Sequence, residues 1–464
     1  MGKWAFALVL VLSPLFAKAA DAKRPNILII VADDQGYNDL GVQGSKDIPT
    51  PNIDTIAANG IRFTNGYVSG PYCSPTRAGL MTGRYQTRFG HEFNPGGAAT
   101  TPADVGLPPT ETTLADRLQA GGYSTGMVGK WHLGYDPKFH PLKRGFQEYF
   151  GFLGGMHDYI DWEAEDHNRI LRGTQPVVEQ TYLTDAFGRE AAAYIDRHKK
   201  QDKPFFLYWT FNAVHVPLEA TPTYMSRFES IKDTRRRTLA AMTSAMDDAV
   251  GLILAKLRET GLEEDTLIFY ISDNGGPEAN ASNNFPLRGH KAQTLEGGVR
   301  VPWMVQWKGH LPAGKTDDRP VIQLDIHATA LAAAGVTPPA DAKKLDGVNL
   351  LPYFTGGNSG RPHEALYWRF GRQMAIRLGD WKLVRSSDDL SRQELFDLSK
   401  DVGEAHDLST QRPEKVKELQ AAWDKWDAEN VPAKWGPAAR PGKGKGKVKG
   451  KNKRADQPPV QTKE

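Results

Sequence analysis

The sequence predicts an α/β protein: an open sheet of buried strands covered on both faces by helices, followed by a smaller C-terminal unit. Two runs share one design. NILIIVADD (26–34) is continuously apolar and ends in two aspartates, and TLIFYISDN (266–274) is apolar and ends in Asp-Asn. A third run, FFLYWTF (205–211), leads into Asn212, His215 and Pro217. Strands apolar on both sides belong to the centre of a parallel sheet, where neither face meets water. Helical stretches lie between them, and this alternation points to one open α/β domain.

The elements follow in chain order. Lys3, the apolar core WAFALVLVL and the small residues Ala17 and Ala19 read as a secretory leader, residues 1–19, cut after Ala19. Its apolar run is too short to span a bilayer, so no transmembrane anchor is expected and the mature chain should be exported, to a periplasm or the medium. Residues 24–344 form the main domain. Within it TLADRLQAGG (113–122) is a helix stopped by glycine, TDAFGREAAAYIDRHKK (184–200) a second, and residues 234–261 a third, long one. From 345 to 430 the texture changes. EALYWRF, QMAIRLGDWKLVRS and QELFDL read as short antiparallel strands with a tight turn at GDW (379–381), and PEKVKELQAAWDKWDAEN (413–430) as a closing helix. Residues 431–464 form a basic tail. From Arg440 onward nine basic residues face only Asp456 and Glu464, so this stretch carries +7 of a net +3 and leaves the rest at −4. GKGKGKVKGKNKR has no apolar periodicity and is expected to be a disordered arm, able to hold the chain on an acidic polymer or surface or simply to aid solubility. Nucleic acid is not an expected partner.

The candidate chemistry sits at strand ends, where open α/β sheets collect ligands. Asp33, Asp34, Asp273 and Asn274 make an all-oxygen, strongly anionic set that suits calcium, or magnesium, rather than zinc. One Asp-Asp pair at a loop start would mean little; two pairs, each closing an apolar strand, point to a metal. Lys130 and His132, two apart in TGMVGKWHLG, share one side of an extended segment. With Arg77, His215 and Lys291, near Arg288, they make a setting for a small polyanion. The chain has a single cysteine, Cys73. Lone cysteines are usually small buried hydrophobes. Here Ser, Pro, Thr and Arg follow it, and a free thiol is a liability in an oxidising compartment, so chemistry is the better reading. Tyr159, Trp162 and Trp303 are candidates for stacking against a ligand, though such residues more often fill cores.

Taken together, C-S-P-T-R (73–77) continued by G-L-M-T-G-R, G-Y-S-T-G-M-V-G-K-W-H (122–132), Asp33-Asp34 and S-D-N-G-G (272–276) resemble the type I, formylglycine-dependent sulfatases of the alkaline phosphatase superfamily. The likeness runs from about Asn26 to the E-L-F-D-L and G-E-A-H-D-L segments ending at Leu408. It implies a large mixed, mostly parallel sheet flanked by helices, alkaline-phosphatase-like, with a smaller C-terminal α+β subdomain holding an antiparallel sheet. It also implies that Cys73 is the precursor of formylglycine, installed by a maturation enzyme that reads Pro75 and Arg77. Asp33, Asp34, Asp273 and Asn274, with residue 73, would hold the cation, calcium in most relatives. The hydrated aldehyde, a gem-diol, would attack sulfur with one hydroxyl and expel sulfate with the other. His215, with Lys291, would supply the proton to the departing alcohol, and His132 would be the base; Arg77 and Lys130 would hold residue 73 and the developing charge. The turn at Ser74 and Pro75 is expected to open a helix whose free N–H groups favour an anion. His157 and Asp158, and Arg288, are candidate substrate contacts.

DPKFHPLKRGFQEYFGFLGGMHDY, NAVHVPLEA and FPLRGHK look most like the N-acetylgalactosamine-4-sulfatase (arylsulfatase B-like) branch. The implied substrate is a sulfated carbohydrate or an aryl sulfate. Two rivals stand beside this reading: a phosphate or phosphonate ester hydrolase on the same scaffold, and a sulfated-glycan binding protein on an inactive one.

Overall fold

The computed structural model describes residues 23–162, 168–178 and 181–437; the expected leader and the tail beyond 437 lie outside them. Five parallel strands form the centre of a ten-stranded sheet, in the order Thr266–Ser272, Asn26–Ala32, Phe205–Thr210, Ser124–Lys130, Glu148–Phe152. Trp303–Gln306 pairs antiparallel with Thr266–Ser272 and continues to Ile61–Phe63 and Lys315–Asp317. Leu171–Arg172 and Gln175–Pro176 finish the other edge antiparallel. The sheet is thus mixed and mostly parallel.

Alternate residues of the central strands feed two separate cores, which is why their sequences are apolar throughout. Leu28, Ile30, Leu207 and Trp209 pack under helices Pro51–Ala58, Leu183–His198 and Thr234–Glu259. Ile27, Ile29, Phe206 and Tyr208 face helices Cys73–Thr82, Leu114–Ala120 and Leu324–Ala333. Leu114–Ala120 starts on a full capping box, with Thr113 Oγ1 accepting from Asp116 N and Asp116 Oδ2 from Thr113 N. Among the described residues only Thr234–Glu259 is long and apolar enough to cross a membrane, and most of its apolar stretch is buried in the first of these cores.

The C-terminal unit is a four-stranded antiparallel meander, Ala365–Phe370, Gln373–Leu378, Trp381–Arg385 and Glu394–Asp397. Leu378 pairs with Trp381, so the expected turn is the two residues Gly379–Asp380, with Gly379 at φ +63° as a tight hairpin requires. Helix Pro413–Asp427 lays Leu419, Trp423 and Trp426 on this sheet, whose core continues into Tyr67, Leu295 and Leu324 of the main domain.

Two expectations are corrected. Tyr159, Trp162 and Trp303 are no stacking platforms: they are buried at 0, 4 and 0 % exposure, because the strands and loops carrying them point those rings into the cores. The arm does not begin at 431 either. Val431 N and Lys434 N bond to Thr87 O and Gly90 O, and Trp435 packs on His91, so the chain is tied down through these residues.

Candidate active site

Parallel strands all end at one edge, and that edge gathers the chemistry. Asp33 and Asp34 follow Asn26–Ala32, Asp273 and Asn274 follow Thr266–Ser272, Lys130 closes its own strand, and His215 lies beyond Phe205–Thr210. Cys73 opens helix Cys73–Thr82, one residue before the anticipated turn, with Tyr72 as N-cap. Its Sγ lies 3.5 Å from Asp33 Oδ1, inside the free N–H end of that helix. One ligand atom from each of Asp33, Asp34, Cys73 and Asp273 falls within 4.8 Å of all the others.

Backbone geometry creates this convergence. Asp34 and His132 sit at φ +60° and +57°, the left-handed region that costs such residues about 1–3 kcal/mol. The strain turns adjacent side chains to different partners: Asp33 toward Lys130 and Arg77, Asp34 toward Lys291 and His215. Gly129 is needed just before Lys130, since a Cβ there would lie 1.6 Å from Thr210 O.

The cations are arranged around the carboxylates. Lys130 Nζ is 2.5 Å from Asp33 Oδ2 and Lys291 Nζ 2.8 Å from Asp34. Arg77 Nε and Nη2 lie 2.9 and 2.8 Å from Asp273 Oδ2, while Nη1 donates to Lys130 O. All but Lys291 and His215 are fully buried. Burial, reinforced by Asp273, pushes Asp33 up to about 7 despite Lys130. Burial pushes up on Asp34 as well, but Lys291 and His215 together outweigh it and hold Asp34 at about 2. Burial also drives the Cys73 thiol well up, so the unmodified residue is a poor thiolate.

Two features show that the oxygen set fits a divalent cation. Asn274 Nδ2 donates to Asp34 Oδ1, which leaves Asn274 Oδ1 buried and, among the described residues, without a hydrogen-bond partner. Asp33, displaced upward by burial and Asp273, is a carboxylate that a nearby positive ion would return to its ionised form. The donors are hard oxygens, as calcium and magnesium require.

His215 Nδ1 is 2.6 Å from Val216 O and therefore carries its proton, leaving Nε2 directed to the site, 3.6 Å from Asp34 Oδ2. Burial, opposed by Asp34, lowers its pKa to about 4. Burial, with Lys130 and Arg77 adding to it, lowers His132 well below the usual imidazole value. His132 packs so closely on Gly155 that a Cβ there would meet its ring at 2.4 Å.

Both histidines line a cavity of about 420 Å³ whose far wall is the Asn94–Thr100 loop. Gly155, Met156 and Asn168 close its side. His157 is fully buried, its Nδ1 on Asp158 O and its ring against Phe152, and it does not line this cavity; the adjacent Met156 does. Asp158 is half-buried beside it. Arg288, expected at the ligand, points instead to the C-terminal unit: Glu404 O at 3.0 Å, Asp388 at 3.4 Å and Glu394 at 3.5 Å take its guanidinium. Three residues before Lys291, it is turned away by the loop between them.

Three contributors escaped the sequence. His91 is buried with Nε2 2.6 Å from Ser74 Oγ, which in turn donates to His132 O. Asn94 Oδ1 accepts from Ser74 N and so satisfies the first turn of the Cys73 helix. The NPGGAAT loop, rich in glycine and without apolar periodicity, is the one local signal that a wall stood there.

Comparison with known proteins agrees with this geometry. The sulfatase family model matches residues 25–336, and the model for the C-terminal part of N-sulphoglucosamine sulphohydrolase matches 290–426. The N-acetylgalactosamine-6-sulfatase of Canis lupus familiaris is 37% identical over 406 residues, covering 81% of this chain and 74% of its own. Arylsulfatase A of Homo sapiens is 33% identical, covering 85% of each. A crystal structure of Ps i-CgsB in complex with k-i-k-neocarrahexaose superposes with a TM-score of 0.84 at 37% identity, over 89% of this chain and 94% of that one. The motifs point to the 4-sulfatase branch, and N-acetylgalactosamine-6-sulfatases are among the relatives.

Proposed function

The chain belongs to the sulfatase family and is a sulfuric ester hydrolase, and on that premise we propose that it removes sulfate from a carbohydrate of the galactosamine- or galactose-sulfate type, using residue 73 as formylglycine. The observation that carries this reading is the meeting of Cys73, three carboxylates and three cationic side chains, with His215, 3.6 Å from Asp34, lining a cavity large enough for a sugar ring. Names of relatives support the substrate class, since they act on N-acetylgalactosamine sulfate or were crystallised with a carrageenan-type oligosaccharide.

Asp33, Asp34, Asp273 and Asn274 would hold a calcium or magnesium ion, which when bound supplies Lewis acidity and offsets sulfate charge. Oxidation of Cys73 by a maturation enzyme would supply a gem-diol, with one hydroxyl to attack and one to eject. The remaining work belongs to side chains already in position. Lys130, Lys291 and Arg77 orient residue 73 and balance the charge of the ester. His215 gives the Nε2 proton to the departing sugar oxygen; the sulfate's negative charge opposes the burial that holds the ring near pKa 4, so the cation forms when substrate is bound. His132, kept neutral by burial and by Lys130, is the base that takes the second hydroxyl's proton. The Asn94–Thr100 loop shields the reacting centre and receives the sugar. Export to a periplasm or the medium, and attachment of the basic arm to an acidic polymer, complete the reading.

A mass spectrum of the exported protein tests it. The peptide bearing residue 73 should be lighter than its cysteine form by about the mass of one water and should react with hydrazides. Cys73→Ala should fold and bind metal without turnover. Full mass at residue 73 in protein that cleaves aryl sulfates, or faster cleavage of the matching aryl phosphate, would overturn it.

A further inference from the structure

At the opposite edge of the sheet, about 20 Å of strand away from the acidic cluster, lies a second and larger cavity, of about 670 Å³. Arg24, just before the Asn26–Ala32 strand, and Gly121, just before Ser124–Lys130, stand on one side of it. The connection Gly335–Lys343, which leaves helix Leu324–Ala333, stands on the other.

One buried side chain there has a donor left unmet. Arg117 is only 7 % exposed, yet it makes no ion pair and donates no side-chain hydrogen bond among the described residues, and its Nε is enclosed without any partner. The nearest carboxylate, Asp116, is committed to the helix cap, its Oδ2 accepting from Thr113 N and Oγ1 at 2.9 Å each. Burial accordingly pulls the Arg117 guanidinium below the usual arginine range, with Asp116 opposing only in part. Arg144, also buried nearby, shows the ordinary solution, donating to Leu107 O, Pro108 O and Glu111 O. A guanidinium whose Nε is enclosed without a partner is an unmet donor that a ligand in this cavity can take.

The surroundings say what that something is. Arg24 and Lys343 add positive charge to the same cavity, and Thr110 and Thr112 add hydroxyls. Arg24 Nη1 donates to Gly121 O, and Lys343 Nζ reaches Glu111 Oε1 at 2.5 Å, so both are held at the rim. Asp341 and Asp116 are the opposing charges in the lining, and Val336 and Pro338 add apolar surface that suits the face of a sugar. A guanidinium fork matches a tetrahedral oxyanion best. We propose that this cavity is a second anion site, in which Arg117 holds a sulfate or phosphate group, either free or carried on a sugar-sized ligand.

Calorimetric titration of the full chain on a Cys73→Ala background tests this, with sodium sulfate and separately with a monosulfated galactose disaccharide. Two equivalents should bind. Arg117→Met should weaken one of them about tenfold or more, as expected for loss of a charged hydrogen-bond donor, and Lys291→Met should weaken the other. In otherwise native enzyme, Arg117→Met should leave aryl-sulfate turnover unchanged. Tighter binding of the disaccharide at the Arg117 site identifies the carried group, and equal binding the free ion. A single equivalent abolished by Lys291→Met, or both equivalents retained in Arg117→Met, overturns the proposal. Should Arg117→Met not fold, Lys343→Met at the half-exposed rim reads the same site, and unchanged binding in that variant and in Arg24→Met overturns it equally.

Discussion

Replacing Lys382 by Met should destabilise the protein by about 3–5 kcal/mol, the range found when one partner of a buried ion pair is removed. Lys382 is fully buried on the strand Trp381–Arg385, with Glu296 Oε1 at 2.8 Å and Glu404 Oε1 at 2.9 Å. The two carboxylates would not suffer equally. Glu296 keeps Arg300 at 3.3 Å and the Tyr67 hydroxyl at 2.7 Å. Among the described residues Glu404 keeps only a backbone donor, Glu296 N at 2.7 Å. Burial already raises Glu404 to about 7, and burial is outweighed at Glu296 by Lys382 and Arg300, which hold it at about 2. The signs are therefore opposite. Glu404 binds its proton more tightly folded than unfolded, so its contribution falls as pH rises from about 4.5 to about 7. Glu296 contributes above about 4.5 and loses its contribution as pH falls toward 2. Without Lys382, Glu404 moves further up, so the variant's deficit should be largest near pH 8 and smallest near pH 5. Denaturant unfolding of wild type and variant across that range measures it. Lys382→Met/Glu404→Gln should recover at least half the loss, because it removes the stranded charge with its partner. A deficit under about 1 kcal/mol, or one independent of pH, would refute the reasoning.

Three further outcomes are expected. Asp273→Ala should abolish sulfate release and also lower stability, because it takes from the buried Arg77 its partner at 2.8–2.9 Å; chelation of divalent metal should abolish sulfate release reversibly, and activity surviving both would remove the metal from the site. His215→Ala should slow esters of poorly acidic alcohols far more than activated phenyl sulfates, read as a steeper dependence of kcat/KM on leaving-group pKa, whereas a uniform loss would make His215 a binding group only. Burial works against a charged His363, but Asp325 at 2.8 Å outweighs it and holds the ring above its ordinary 6.5; that contribution is complete below pH 6.5 and fades as pH rises through the folded value, so the stability gap between wild type and His363→Gln should shrink from pH 6 to pH 9.

Much of this molecule is written in local sequence. The continuous apolar runs required strands buried on both faces, since no other element accommodates seven such residues so evenly. Asp-Asp and Asp-Asn at their ends then had to share one sheet edge, because parallel strands end together. The GDW turn and the Trp-bearing closing helix were legible for similar reasons: hairpin turns need a residue free to adopt positive φ, and an amphipathic stripe needs a surface to cover. What stayed hidden depends on contacts made across long separations. His91 reaches Ser74, and Asn94 the first turn of the Cys73 helix, through a loop whose sequence carries no periodic signal. Arg288 and Lys291 lie three residues apart, yet one turns to Glu394 and the other to Asp34, a choice made by the fold of the intervening loop. Composition showed that Tyr159, Trp162 and Trp303 were aromatic, but only packing decides whether a ring faces a ligand or a core. Local sequence thus determines which elements form and which end of the sheet bears charge, because those follow from periodicity and strand direction. Tertiary structure alone decides which charges meet, because pairing depends on distances between segments that the chain brings together only when it folds.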